Sequence, residues 1–298
     1  MQHVRFLTYV DAVACCGSFR GAAERLHVDA SAVNRRIQDL EEELGCALFE
    51  RLPRGVRLTP EGELFLGYAR RRLSDLKVVR AQIEDLRGKR RGSVKLAVSQ
   101  ALASTFLPAA MHQFQQRYPL VDFEVQVLDH QRAIMALGQF EVDLGIVFNP
   151  PAHHGMDTLA RMPCGMAAVV SAGHTLAQRA GVELKDCFEY PAVLPGHDLA
   201  GRAILERLMT ATGLKPGVVL SSNSFELMYG YIRLGNAVGF QVVVDDSPPE
   251  GLRFVPLKER RLHSAAVALL ALQQRVLPPA AAEFAQQMAL RMQAGAPE

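Results

Sequence analysis

Arginines and carboxamides, spaced to share a helix face, are the residues near the start of the chain most able to do chemistry. Within 29–44, Ala30, Ser31, Asn34, Arg35 and Gln38 lie opposite a three-four stripe of Val33, Ile37, Leu40 and Leu44. That face suits a major groove: Asn and Gln pair with adenine, Arg pairs with guanine or phosphate, and small residues allow close approach. A plain solvated face would use the same residue types, so spacing alone leaves both readings open. Arg51, Arg54 and Arg57 surround Pro53-Arg54-Gly55 between short apolar segments at 48–51 and 56–59. A basic hairpin there would reach phosphates or a minor groove, setting affinity more than specificity.

The elements that must position these groups have local signals. Leu7, Val10, Val13 and Ala14 mark a first helix, which Gly17 ends. Ser18 caps a second helix over 19–26 and is placed with the DNA-facing set. Its small Ala22 and Ala23 let another helix cross closely. Asp29 is the expected N-cap of the third helix and Gly45 its stop. Thr59-Pro60-Glu61 then opens a long helix to about 87, with Leu66, Ala69, Leu73, Leu76, Val79, Ile83 and Leu86 as its apolar stripe. Such a stripe either pairs with a second copy of itself or packs on its own chain.

Charge is unevenly shared. Residues 1–92 carry 17 Lys/Arg against 13 Asp/Glu, and the remainder 16 against 18, so the cations gather where the basic hairpin lies. The N-terminus lacks a signal-peptide core and no run is long enough to span a bilayer, so the expected location is the cytoplasm, without a membrane partner. The five cysteines form no CxxC pair, which argues against a zinc site or a disulfide framework. They read as reduced, partly buried thiols, a redox role requiring a lowered thiol pKa. His153-His154 and His174 are the only hints of metal or acid-base chemistry. No HExxH, GxSxG or P-loop pattern accompanies them, so neither a catalytic site, a metal site nor a cofactor is expected.

Gly17-Ser18-Phe19, Ala22-Ala23-Glu24-Arg25-Leu26-His27-Val28, Ser31-Ala32-Val33, Leu48-Phe49-Glu50-Arg51 and Leu58-Thr59-Pro60-Glu61-Gly62 follow in order and without gaps. This segment resembles the LysR-type transcriptional regulators. Asp29-Ala30 departs from the family's Ser/Thr and polar pair, and Asn34 stands where Ser or Thr is common, which alters the expected base preference. The resemblance implies a winged helix-turn-helix over 1–59, a dimerising linker helix over 60–87 and a hinge at 88–92. It also implies double-stranded promoter DNA and RNA polymerase as partners, and a tetramer built as a dimer of dimers. A nuclear-localisation reading of the basic run 87–91 rests on composition alone.

From 93 onward apolar strands alternate with amphipathic helices, the pattern of α/β units with mostly parallel sheets. Strands are expected near 94–99, 123–128, 143–148, 166–171, 191–194, 217–221, 237–243 and 265–272, and helices near 105–117, 131–138, 199–212, 224–234 and 279–293. Leu107-Pro108, Phe114, Arg117-Tyr118-Pro119 and Asp143-Leu144-Gly145-Ile146 resemble the effector domain of the same family. That implies a two-lobed, periplasmic-binding-protein-like body, lobe 1 over 93–162 and 266–298 and lobe 2 over 163–265.

Ligands of such folds sit at the carboxyl ends of strands. The loop with Ser99, Gln100, Ala101 and Ser104 is therefore the first candidate, its hydroxyls and helix-start amides suited to a carboxylate. The family pattern implies the other walls: Leu128, Asp129, Phe148, Pro195, His197, Asn223 and Ser224. Leu128 replaces a hydroxyl common in relatives, and Asp129, His130 and His197 would suit a ligand that carries donors. Each of these residues is otherwise an ordinary loop or cap position. A transport binding protein would explain the body but not the basic reader. An architectural DNA protein would explain the reader but leave the body idle.

Overall fold

The computed structural model describes residues 2–86, 91–104, 106–148, 150, 154–197, 199–244, 247–258 and 265–294. The expected hinge falls largely outside them, as does His153. The chain divides into two compact units, Met1–Gly88 and Lys89–Glu298.

The first unit runs α1 (Gln2–Cys16), α2 (Phe19–Leu26), α3 (Ala30–Leu44), β1 (Phe49–Leu52), β2 (Gly55–Leu58) and α4 (Pro60–Leu86). Its punctuation is local. Ser18 accepts the Gly21 N–H at 3.0 Å, and Gly17 and Gly45 take left-handed φ values of 62° and 70° after α1 and α3. Thr59 accepts the Gly62 N–H at 2.9 Å. Asp29 occupies the N-cap position of α3 with extended backbone, but its side chain makes no capping bond, a correction to the expected cap. Val10, Val13, Ala22, Ala23, Val33, Ile37, Leu40 and Leu48 form the core. Leu44 is exposed instead, because the last turn of α3 runs past the core edge.

α4 divides the two readings of its stripe. Leu66 and Ala69 are buried in their own unit, and Arg70 binds Asp11 of α1 at 2.8 Å. Further along, Val79, Ile83 and Leu86 are exposed.

The second unit holds two five-stranded sheets. In the first, β3 (Gly92–Val98) lies parallel to β4 (Val121–Val127) and β5 (Leu144–Phe148). β12 (Ala266–Leu272) runs antiparallel between β5 and β6 (Met156–Pro163). In the second, β8 (Ala192–Pro195) is parallel to β9 (Val218–Ser222) and β10 (Val238–Val243). β7 (Gly165–Ser171) is antiparallel to β10 and to β11 (Leu252–Pro256). Both sheets are thus mixed, not mostly parallel as expected. β6 and β11 escaped the sequence reading because they are edge strands with charges in short apolar runs, and their antiparallel pairing is set by distant segments.

Helices cover the sheets: α5 (Gln100–Ala103), α6 (Phe106–Arg117), α7 (His130–Gly138) and α11 (Pro279–Ala294) around the first, and α8 (Leu184–Cys187), α9 (Ala200–Thr212) and α10 (Phe225–Arg233) around the second. Phe114, Phe123 and Phe284 stack edge to face beside β3 and β4. Arg275 and Asp143 form a buried ion pair at 2.5 Å, with Asp143 also accepting the Lys95 N–H. Those bonds pin the chain after β12 to the middle of β3 and the start of β5.

Candidate nucleic-acid interface and effector cleft

With Val33, Ile37 and Leu40 turned into the core, the opposite face of α3 presents Ala30, Ser31, Arg35 and Gln38 to solvent, with Asn34 half-buried. β1 and β2 make a two-stranded antiparallel wing. Its place is fixed by glycine: Gly55 has φ +105°, and a Cβ there would lie 2.4 Å from the Gly17 carbonyl oxygen, which accepts the Val56 N–H at 2.8 Å.

The wing arginines differ in their partners. Arg51 donates to Asn34 Oδ1 at 2.7 Å and lies 5.3 Å from the Phe19 ring centroid, tying wing to helix. Arg57 pairs with exposed Glu50 at 2.6 Å, so its charge is partly answered. Arg35 and Arg54 have no hydrogen bond or ion pair among the described residues. Ser18 is half-buried, its oxygen engaged as a cap. One positioning residue went unread. Glu41 accepts the N–H groups of Leu48 and Phe49 at 2.7 and 3.1 Å, joining α3 to the wing. In the run Glu41-Glu42-Glu43 nothing distinguishes it.

In the second unit a cleft of about 770 Å³ opens between the two sheets. Ser99, Gln100 and Ala101 line it from the end of β3 and the start of α5, Leu128 and Asp129 follow β4, and Phe148 ends β5. From the second sheet come Pro195 at the end of β8, His197 just beyond it, and Asn223 and Ser224 after β9. All lie at or just beyond the carboxyl ends of strands, where helices begin. Ser104 does not line the cleft. It lies one turn beyond Gln100 and is exposed.

Several lining residues also serve the scaffold. Ser99 Oγ accepts the Phe148 N–H at 3.2 Å, and Asp129 caps α7 by accepting the Arg132 N–H at 2.9 Å. Ser224 caps α10, and His197 lies 3.3 Å from Glu206. His174 is a core histidine: its Nδ1 accepts the Leu176 N–H and its Nε2 lies 3.1 Å from the Asn236 carbonyl.

The sequence reading missed Gln241. Only 2% exposed, it lines the cleft from β10 and accepts a hydrogen bond from the Tyr229 phenol. Burial raises the Tyr229 pKa, which keeps the phenol protonated as a donor. Its signal was available, since Gln241 is the one polar side chain in the strand Val238–Val243.

Residues 4–63 match the family of bacterial regulatory helix-turn-helix proteins of the lysR type, and residues 87–293 match the LysR substrate binding domain. A probable nitrogen assimilation transcriptional activator of Synechococcus elongatus is 28% identical over 90% of this chain and 88% of its own. The transcriptional regulator CysB of Burkholderia cenocepacia is 30% identical over 85% of this chain and 82% of its own. Among solved structures, full-length CbnR complexed with its target DNA covers 97% of this chain and 99% of its own, at 21% identity with a TM-score of 0.63. A full-length OxyR variant from Pseudomonas aeruginosa covers 96% and 94%, at 20% identity with a TM-score of 0.72. These two likenesses are of fold. The wing, the helix-turn-helix and the two-lobed body belong together in one class of molecule: the chain is a member of the LysR family of transcriptional regulators, a DNA-binding protein with an effector-binding C-terminal domain, and not an enzyme.

Proposed function

We propose that this regulator reads promoter DNA with the exposed face of α3 and the wing, and that a small molecule held in the cleft between the two sheets controls that reading. What carries the proposal is a convergence: every residue assigned to effector binding from the sequence, except Ser104, lines the same cleft. A volume of about 770 Å³ suits a metabolite-sized ligand. The functional partition follows as 1–59 for reading, 60–87 for pairing, 88–92 as hinge and 93–298 for sensing.

Pairing is assigned to α4, whose exposed Val79, Ile83 and Leu86 offer an apolar seam to a second copy. Two-fold pairing presents two readers to a two-fold DNA site, and a tetramer as a dimer of dimers extends this to four. Effector binding then changes the spacing of the readers, and with it promoter bending or contact with RNA polymerase in the cytoplasm. Allostery of this kind needs two sites and two states.

The test is selection of genomic fragments by the purified full chain, with salt and unlabelled competitor titrated. The expected outcome is a small set of fragments, retained against competitor, whose enrichment disappears in Arg35→Ala. Unchanged sequence preference in that variant would overturn the assignment of α3.

A further inference from the structure

The carboxamide of Asn34 is not free to meet DNA either way round. Its Oδ1 accepts a hydrogen bond from the Arg51 guanidinium at 2.7 Å, and a guanidinium has donors only, so the oxygen of the amide turns towards the wing. Arg51 is itself held in place. Its guanidinium carbon lies 5.3 Å from the Phe19 ring centroid, and Phe19 meets Phe49 of β1 edge to face at 6.1 Å. Phe49 is 6% exposed, so this platform is anchored in the core of the first unit. Among the described residues Arg51 has no carboxylate to draw it away from Asn34, and the Asn34 NH2 has no partner.

Two carboxamides on one face of α3 therefore differ. Gln38, one turn beyond Asn34, makes no hydrogen bond among the described residues, so it can offer an adenine both its donor and its acceptor. Asn34 has one lone pair of its oxygen occupied by a cation. A second donor brought to that oxygen meets the positive charge of Arg51. The same bond makes the NH2 a better donor, because linked hydrogen bonds polarise one another. In the major groove adenine sets a donor, its N6 amino group, beside the acceptor N7, whereas guanine sets two acceptors, N7 and O6, side by side. Next to Arg51 the adenine amino group is opposed and the guanine pair is favoured. Ala30 and Ser31, one turn earlier on the same face, are small enough to let a base edge come close.

We propose that Asn34 is a specificity-determining residue that selects guanine over adenine. Arg51 is the positioning residue that fixes this choice, by holding the carboxamide with its donors outward. The role rests on α3 as the reading helix. It reverses what the residue type alone leads one to expect, since an unrestrained Asn on such a face pairs with adenine.

The experiment selects bound duplexes from a pool with a randomised core, using the purified full-length chain. Base preferences are compared within each selected pool, so a change in overall affinity drops out. In the wild type, one position of the recovered site carries a guanine whose preference falls by about tenfold in Asn34→Ala. Asn34→Asp, which keeps the shape but has no donors, loses that guanine too and decides the matter if Asn34→Ala lowers the Tm. Arg51→Met, which removes the donors and the charge, admits adenine at the same position. A residue that merely supported the wing would leave that base unmoved. Three results would each overturn the proposal: any base other than guanine at the Asn34-dependent position, no gain of adenine in Arg51→Met, or Asn34 variants that bind every duplex more weakly with unchanged preferences, as a phosphate contact would. Arg35→Ala keeps this role apart from the reading it rests on. If Arg35→Ala alters the preferred sequence and the Asn34 variants do not, α3 still reads DNA and only the role of Asn34 fails. If none of these variants alters it, the assignment of α3 fails as well.

Discussion

Arg35 and Arg54 carry the same charge, and the proposed reading gives them different work. Arg35 projects from α3 where base edges would lie, so Arg35→Ala is expected to cost about 1–3 kcal/mol on the preferred site and to relax preference at one base position. Arg54, at the wing tip, should act on phosphate. Arg54→Ala is expected to weaken all DNA evenly and lower the salt slope by about one, read from affinities at several salt concentrations. Equal slopes in the two variants would contradict the distinction. The cysteines make a second prediction at this scale. Burial pushes both Cys164 and Cys187 up to about 12, from an ordinary 9.0. A thiol whose folded pKa lies above its unfolded value holds its proton more tightly when folded. Its stabilising effect is therefore full below about pH 9 and is lost as the pH rises towards 12, by up to about 1.4 kcal/mol per pH unit per thiol. Urea midpoints should stay level from pH 7 to 8.5 and fall by pH 10. In the native protein at pH 8, maleimide should label exposed Cys15 and spare Cys187.

At the scale of elements, Gly62 shows how closely the first unit is packed. A Cβ on Gly62 would lie 2.0 Å from the Leu48 carbonyl oxygen, so Gly62→Ala must push α4 off the wing and should cost roughly 1–3 kcal/mol in urea unfolding. The seam on α4 gives a contrasting case. Ile83→Asp touches nothing buried in its own unit and should leave the unfolding midpoint unchanged while moving the sedimentation boundary towards monomer. The elements of the first unit were legible because their limits are written locally, in Gly17, Ser18, Gly45, Thr59 and Pro60. β6 and β11 were not, since what makes them strands is a neighbour far away in sequence. Asp29 is an intermediate case: its type and position announce a cap, yet the side chain turns elsewhere. Gln241 stood plainly as a polar residue in an apolar strand. Its meaning depends on Tyr229 in the preceding helix, and no local pattern joins the two.

Across the whole molecule, specificity for DNA and specificity for a small molecule reside in separate units of one chain, and regulation requires that the two be coupled. The most direct test measures affinity and footprint on one selected promoter fragment, with and without a saturating small molecule that thermal shift finds to bind the full-length chain, in the wild type and in Ser99→Tyr. That molecule is predicted to change the affinity or the footprint in the wild type and to leave Ser99→Tyr unmoved, although that variant binds the fragment as tightly as the free wild type. Identical isotherms and footprints for the wild type with the cleft empty and saturated would contradict control through the cleft.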